Sequence, residues 1–167
     1  FFSSHHHSHA ASAFFLSPYR EATVICMDGV GEWITTSIWR GRESKLELIK
    51  SINFPHSLGL VYSAFTSYCG FKVNSGEYKL MGLAPFGKPV YKDLILKELI
   101  NVYDDGSFEI NMNYFSFDID SKMTNKKFNN LFGRQPRERE SEIDVFYINI
   151  ASSIQSVTET IVQNLVD

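Results

Sequence analysis

Four of the chain's five histidines fall within five positions of the opening stretch FFSSHHHSHAASAFFLSPY. His5 and His9 are four residues apart, so on a helix they share one face, one turn above the other. Two imidazoles so placed can bind one divalent metal when further ligands arrive from elsewhere in the chain. The same run read blandly is a histidine-rich surface turn. His6 and His7 are expected to point away from the pair. A purification tag would be an unbroken run followed by a flexible linker. Here Ser8 interrupts the run, and the small apolar sequence AASAFF follows, as in a helix packed closely against a neighbour.

A second stretch able to do chemistry is DGVGE, residues 28–32. A carboxylate at the end of a buried strand, followed by glycines, lets a phosphate approach backbone N–H groups without Cβ obstruction. Asp28 could also hold a cation that neutralises phosphate charge. The alternative is a glycine-rich hairpin turn with no ligand. The third stretch, NSGEYKLMGLA at residues 74–84, places Gly76 at a helix start. Its N–H groups could face a ligand, Glu77 could accept from ribose hydroxyls, and Lys79 could pair with phosphate as a point charge. Otherwise it is a capped amphipathic helix with Glu77 and Lys79 in solvent. His56 reads as a helix-start histidine rather than a ligand. No serine or cysteine nucleophile motif is apparent, and adjacency of Ser8 and His9 does not make a catalytic pair.

These residues need elements to position them. A helix is expected over residues 4–15, with Ser3 or Ser4 as its cap. Strands are expected at 23–27, 33–40 and 45–53, the last closed by Pro55. Helices are expected at 57–71 with Gly70 as C-cap, at 75–83 and at 91–103. A turn at residues 104–106 leads to a strand at 107–111. Residues 112–140 are polar and irregular, with a short helix at 125–132. Apolar residues at intervals of three and four from 141 to 167 mark a long amphipathic helix. The pattern is α/β.

The chain has 167 residues, 44% of them hydrophobic and 21% charged, with net charge −3. That suits a folded domain, or part of one, with a real core. Basic residues do not cluster, which argues against nucleic acid as a partner. No apolar run reaches the roughly 18–20 residues of a transmembrane helix. Cys26 and Cys69 stand apart from any metal or redox spacing and suit two core positions in a reducing cytoplasm. The abrupt start and the finish on a barely ended helix are read as those of a fragment truncated at both ends.

HHHSHAASAFFLSP, ATVICMDGVGEWITTSIWRG, FPHSLGLVYSAFTSYCGF and NSGEYKLMGLAPFG, in that order, resemble the N-terminal half of the O-carbamoyltransferases. That family includes nodulation-factor and antibiotic carbamoyltransferases. The similarity is dense from residue 1 to about residue 87 and then thins. The resemblance implies an actin and sugar-kinase-like fold of duplicated ribonuclease-H-like halves, shared with the enzymes that form threonylcarbamoyladenosine in tRNA. The chain would then be part of such a domain, a mixed sheet with flanking helices.

The resemblance further implies that His5, His9 and Asp28 ligate a divalent metal, Fe2+ first and Zn2+ or Mn2+ as alternatives. Gly29 and Gly31 would line the phosphate site, and Gly76, Glu77 and Lys79 would lie near the nucleoside. The implied reaction moves a carbamoyl group from carbamoyl-adenylate, made from carbamoyl phosphate and ATP in a second domain, to a hydroxyl of a small-molecule acceptor. The base for that hydroxyl is not identified. The chain ends before the family's later glycine-rich motif and aspartate, so alone it is expected to be inactive. Two rivals share the fold. A non-enzymatic actin-like ATP-binding domain would not need His5 and His9, and a sugar kinase would use a base carboxylate and Mg2+ without a histidine pair.

Overall fold

The computed structural model describes residues 2–118 and 122–166. It divides into two compact units, Phe1–Gly59 and Leu60–Asp167. Residues 119–121 of the polar segment, and Asp167 at the end of the final helix, lie outside the described residues.

The first unit is helix α1, His5–Phe15, on a sheet of β1, Glu21–Gly31, β2, Ile34–Arg42, and β3, Lys45–Asn53. The strands run in the order β1-β2-β3, and both pairings are antiparallel. Two-residue connections join them, and Glu32 and Glu43 supply the positive φ of 61° and 52° that such tight hairpins need. Ser4 stands at the N-cap of α1, but its side chain makes no capping hydrogen bond.

The face of α1 that packs on the sheet carries His6, Ala10 and Phe14, all buried and four residues apart, as a helix requires. Ala10 meets Cys26 of β1 and Trp39 of β2, with Val24 and Leu46 around them. Gly41 lets Phe14 lie flat on β2, since a Cβ there would stand 2.5 Å from the Phe14 ring. Alternation along the strands puts Val24, Cys26 and Asp28 on one face of β1, and Ser37, Trp39 and Gly41 on one face of β2. His6 therefore points away from the His5/His9 pair, as its position suggested, but into the interior. It lies on the buried stripe of the helix, about 100° round from His5.

The first strand does not end at Asp28 but continues to Gly31. The regular ladder breaks after Met27↔Thr36 and resumes at Gly31↔Ile34, so Asp28, Gly29 and Val30 face the single residue Thr35. Such a bulge frees backbone groups from the ladder and re-aims side chains.

Helix α2, Leu58–Tyr68, starts on the last two residues of the first unit and continues in the second, ending with Gly70 at φ 78°. Then come α3, Glu77–Leu83, a 3-10 turn, Ala84–Phe86, and α4, Lys92–Glu98. The helix expected over 91–103 stops short, because β4, Ile100–Val102, pairs antiparallel with β5, Phe108–Ile110. Gly106 at φ 77° closes that hairpin. Tertiary pairing through a turn overrides local helix preference there. The short helix α5, Lys126–Phe132, is capped by the Asn125 side chain, and α6, Val145–Val166, is the long final helix. Every strand pairing described is antiparallel, unlike the mixed sheet expected.

Both cysteines are buried and free. Burial pushes both thiols up, Cys69 to about 12, so neither is a ready nucleophile at neutral pH. Among the described residues, no helix is long and apolar enough to cross a membrane.

Candidate metal centre

Helix α1 and the bulged end of β1 bring three of the singled-out residues together. His5 Nε2 lies 2.7 Å from Asp28 Oδ2 and 3.0 Å from His9 Nε2. His9 Nε2 lies 3.9 Å from the same Asp28 oxygen. His5, His9 and Asp28 thus converge with one ligating atom each inside a 4.8 Å span. The histidines are exposed and Asp28 is partly buried.

The donor set fits a divalent metal. Metal–ligand bonds of about 2.0–2.2 Å place ligands about 2.9 Å apart at right angles and about 3.4 Å apart in a tetrahedron. The three separations bracket those values. Hydrogen bonding alone accounts poorly for the cluster. His5 Nε2 can carry one proton or one lone pair, but not both, so as a neutral ring it cannot both donate to Asp28 and accept from His9. A cation shared by the three atoms satisfies all of them.

The backbone beneath the cluster is held closely. Ser57 Oγ donates to the Asp28 carbonyl at 3.1 Å. A Cβ on Gly59 would stand 2.8 Å from that same carbonyl oxygen, so Gly59, the last residue of the first unit, packs directly on the bulge. Thr35, opposite the bulge, donates its hydroxyl toward the carbonyls of Ile52 and His56. Gly31 is buried, and a Cβ there would collide with the His5 ring, with Asp28 Oδ2 at 2.9 Å and with His6 Cδ2 at 2.9 Å. Gly31 leaves the space that the three side chains occupy.

Two residues near the cluster were not assigned to it from sequence. Ser37 and Trp39 lie on the sheet face that meets α1. Ser37 Oγ is 2.6 Å from His6 Nδ1 and accepts from Trp39 Nε1 at 2.8 Å. The period-two alternation of ITTSIWRGR carried the signal, since it places Ser37 on the same face as the core tryptophan. Burial holds the His6 imidazole below its ordinary range, against the opposing pull of Asp28.

Gly76, Glu77 and Lys79 belong to the second unit. Glu77 Oε1 accepts from Ser63 Oγ at 2.7 Å and from the Asn74 N–H at 2.9 Å. Its Oε2 accepts from the Gly76 N–H at 3.1 Å. Burial pushes the Glu77 carboxyl up, but these hydrogen bonds outweigh it and leave the group below its ordinary range. A Cβ on Gly76 would stand 2.6 Å from the Lys72 carbonyl, so close packing is enough to require glycine there. Lys79 is exposed.

Residues 1–167 match the family described as Carbamoyltransferase N-terminus. An uncharacterized protein of Synechocystis sp. is 59% identical over 164 residues, 98% of this chain and 27% of that protein. An uncharacterized protein of Methanocaldococcus jannaschii is 30% identical over 177 residues, 96% of this chain and 27% of that protein. Nodulation protein NolNO of Sinorhizobium fredii is 32% identical over 109 residues, 65% of this chain and 16% of that protein. The chain spans 27% or less of the length of these relatives. Because the match runs from end to end, the chain belongs to the carbamoyltransferase N-terminus family.

Proposed function

We propose that the chain forms part of an O-carbamoyltransferase that moves a carbamoyl group from carbamoyl-adenylate to a hydroxyl of a small-molecule acceptor. The observation that carries the proposal is the convergence of His5, His9 and Asp28, in a chain that matches a carbamoyltransferase family along its whole length. In this reading His5 and His9 from α1 and Asp28 from β1 hold a divalent metal, Fe2+ or otherwise Zn2+ or Mn2+. When bound, the metal supplies Lewis-acid stabilisation of negative charge on a phosphate or carbonyl oxygen.

The chain's own residues do the positioning. The bulge at residues 28–30 takes their backbone out of the ladder, and Gly29 carries no Cβ to obstruct an anion there, while Gly31, assigned with it to the phosphate site, leaves room for the His5 and Asp28 side chains. Lys79, with its ammonium exposed, is assigned to phosphate charge on the nucleotide. Gly76 and Glu77 shape the loop that carries it, Glu77 through the hydrogen bonds that tie residues 74–77 together.

In the transfer, the bond between the carbamoyl carbon and the adenylate phosphate oxygen breaks and AMP leaves. The acceptor oxygen bonds to that carbon and gives up its proton. Carbamoyl phosphate and ATP supply the adenylate through a further domain of the whole protein. The complete fold is proposed to be actin-like, with which an antiparallel three-stranded sheet and flanking helices are compatible. The two buried free thiols suit a cytoplasmic setting.

The test is an anaerobic Fe2+ titration of the full-length protein and of a His5→Ala/His9→Ala double variant, alongside AMP release from carbamoyl phosphate, ATP and a panel of polyhydroxylated acceptors. The parent should bind Fe2+ and the double variant should lose both binding and carbamoyl transfer. Equal Fe2+ binding in the two proteins sinks the metal centre. ATP binding by a parent that transfers no carbamoyl group favours the non-enzymatic actin-like reading instead.

A further inference from the structure

The Asp28 carboxylate is approached from two sides. His5 and His9 reach it from the exposed side, and His6 from the interior. His6 is 1% exposed, and its Nε2 has no hydrogen-bond partner. That nitrogen stands 3.4 Å from Asp28 Oδ2, close but without the alignment of a hydrogen bond. Leaving a buried ring nitrogen unpaired is costly, so its aim at the carboxylate calls for a physical account.

The row behind His6 gives one. Trp39 Nε1, Ser37 Oγ and His6 Nδ1 are linked at 2.8 Å and 2.6 Å, and Asp28 Oδ2 stands 3.4 Å from His6 Nε2. The ends set the polarity of this row. An indole N–H can only donate, and an ionised carboxylate can only accept. The arrangement that gives both short links a donor and an acceptor has Trp39 donating to Ser37 and the Ser37 hydroxyl donating to His6 Nδ1, which leaves His6 Nε2–H facing the Asp28 carboxylate at 3.4 Å. The reverse tautomer would set a ring lone pair against a carboxylate lone pair. It would also leave the Ser37 proton with no acceptor in the row.

The geometry points to His6 as a positioning residue for Asp28: oriented from behind by Ser37 and Trp39, it holds the carboxylate toward His5 and His9. This inference rests on the metal-centre reading above. Its ring centroid stands 5.9 Å from that of His5, whereas the His5 and His9 rings are 4.5 Å apart, so His6 sits outside the paired imidazoles. Partners of this kind behind a metal ligand fix its direction and raise its affinity.

The test uses the full-length protein with Co2+ as the probe, read by calorimetric titration and by the visible absorption that reports coordination. Ser37→Ala, Trp39→Phe and His6→Leu should each weaken Co2+ binding by about tenfold to a hundredfold. His6→Gln, whose side-chain amide can still donate to Asp28, should stay close to the parent in affinity and spectrum. Long-range 1H–15N spectra of the histidine rings in the parent should show His6 protonated at Nε2. Parent-like Co2+ affinity and absorption in Ser37→Ala and Trp39→Phe overturn the positioning role, as does an Nδ1-protonated His6. Should His6→Leu not fold, those two variants and the ring spectra still decide. If the His5→Ala/His9→Ala variant binds Co2+ as the parent does, the metal centre itself is wrong and the role of His6 falls with it.

Discussion

Gly31 illustrates how much one residue decides around Asp28. Its missing side chain makes the space into which the His5 ring and the Asp28 carboxylate fit, with the His6 ring beside them. Gly31→Ala puts a methyl group into that space. Because the neighbours are side chains, His5 and Asp28 would rotate aside before the backbone moved. Overpacking of this kind costs about 1–3 kcal/mol, and the ligand atoms would separate as well. The expected result is a drop in divalent-metal affinity of about tenfold or more with a modest fall in melting temperature. Unchanged metal affinity would mean that His5 and Asp28 do not share the space above Gly31.

At the scale of elements, α3 depends on a single carboxylate. Glu77 is its first residue and gathers the hydroxyl of Ser63 and the N–H groups of Asn74 and Gly76. The folded-state pKa of Glu77 is lowered from 4.5, so between the two values the unfolded chain binds the extra proton. Stability from this group is therefore fully present above the unfolded value. It is lost as the pH falls through the lowered folded one. Glu77→Gln sets an amide N–H2 against N–H or O–H donors and should cost about 1–2 kcal/mol near neutral pH. The gap in melting temperature between parent and variant should narrow as the pH falls below 4.5 and through the lowered folded-state value. A gap that stays constant from about pH 7 to about pH 3, across the usual carboxyl titration, would show that these hydrogen bonds do not favour the ionised form.

Over the whole molecule, the cluster of His5, His6, His9 and Asp28 falls within Phe1–Gly59, and the long helix α6 organises the other unit. Ile150, Ile154, Val157 and Ile161 are fully buried along one stripe of α6. That stripe meets α3, α4 and the 3-10 turn between them. Gly87 ends that turn where a Cβ would run into the Ile148 carbonyl, so α6 and the turn are in backbone contact. Ile154→Ala removes buried atoms from this core and should cost about 2–5 kcal/mol, read as a lower melting temperature. Metal affinity measured well below that temperature should match the parent. A matching loss of affinity would show that the second unit supports the ligand geometry.

The elements set by local pattern were legible from the residues alone. The spacing of apolar residues marked α2 and α6, the serines before a small apolar run marked the start of α1, and the turn residues before β5 and after α2 stood where the structure has them. β3 occupies residues 45–53, as its alternation indicates. The four-residue interval between His5 and His9 is a property of any helix, so their shared face needed no tertiary information. Long-range packing decided the rest.

Whether Asp28 closes the histidine pair depends on a bulge in the pairing with β2, against which Ser57 and Gly59 pack. Whether His6 faces solvent or interior depends on which side of α1 meets the sheet, and Ala10 and Phe14 settle that by burying the stripe that His6 shares. The end of α4 was likewise decided by pairing across ten residues, Ile100 with Ile110. Sequence by itself determined which residues could ligate and where most helices and strands lie. Tertiary structure decided which of those residues meet, because a side chain's direction follows from its own backbone but its neighbours are chosen by the fold.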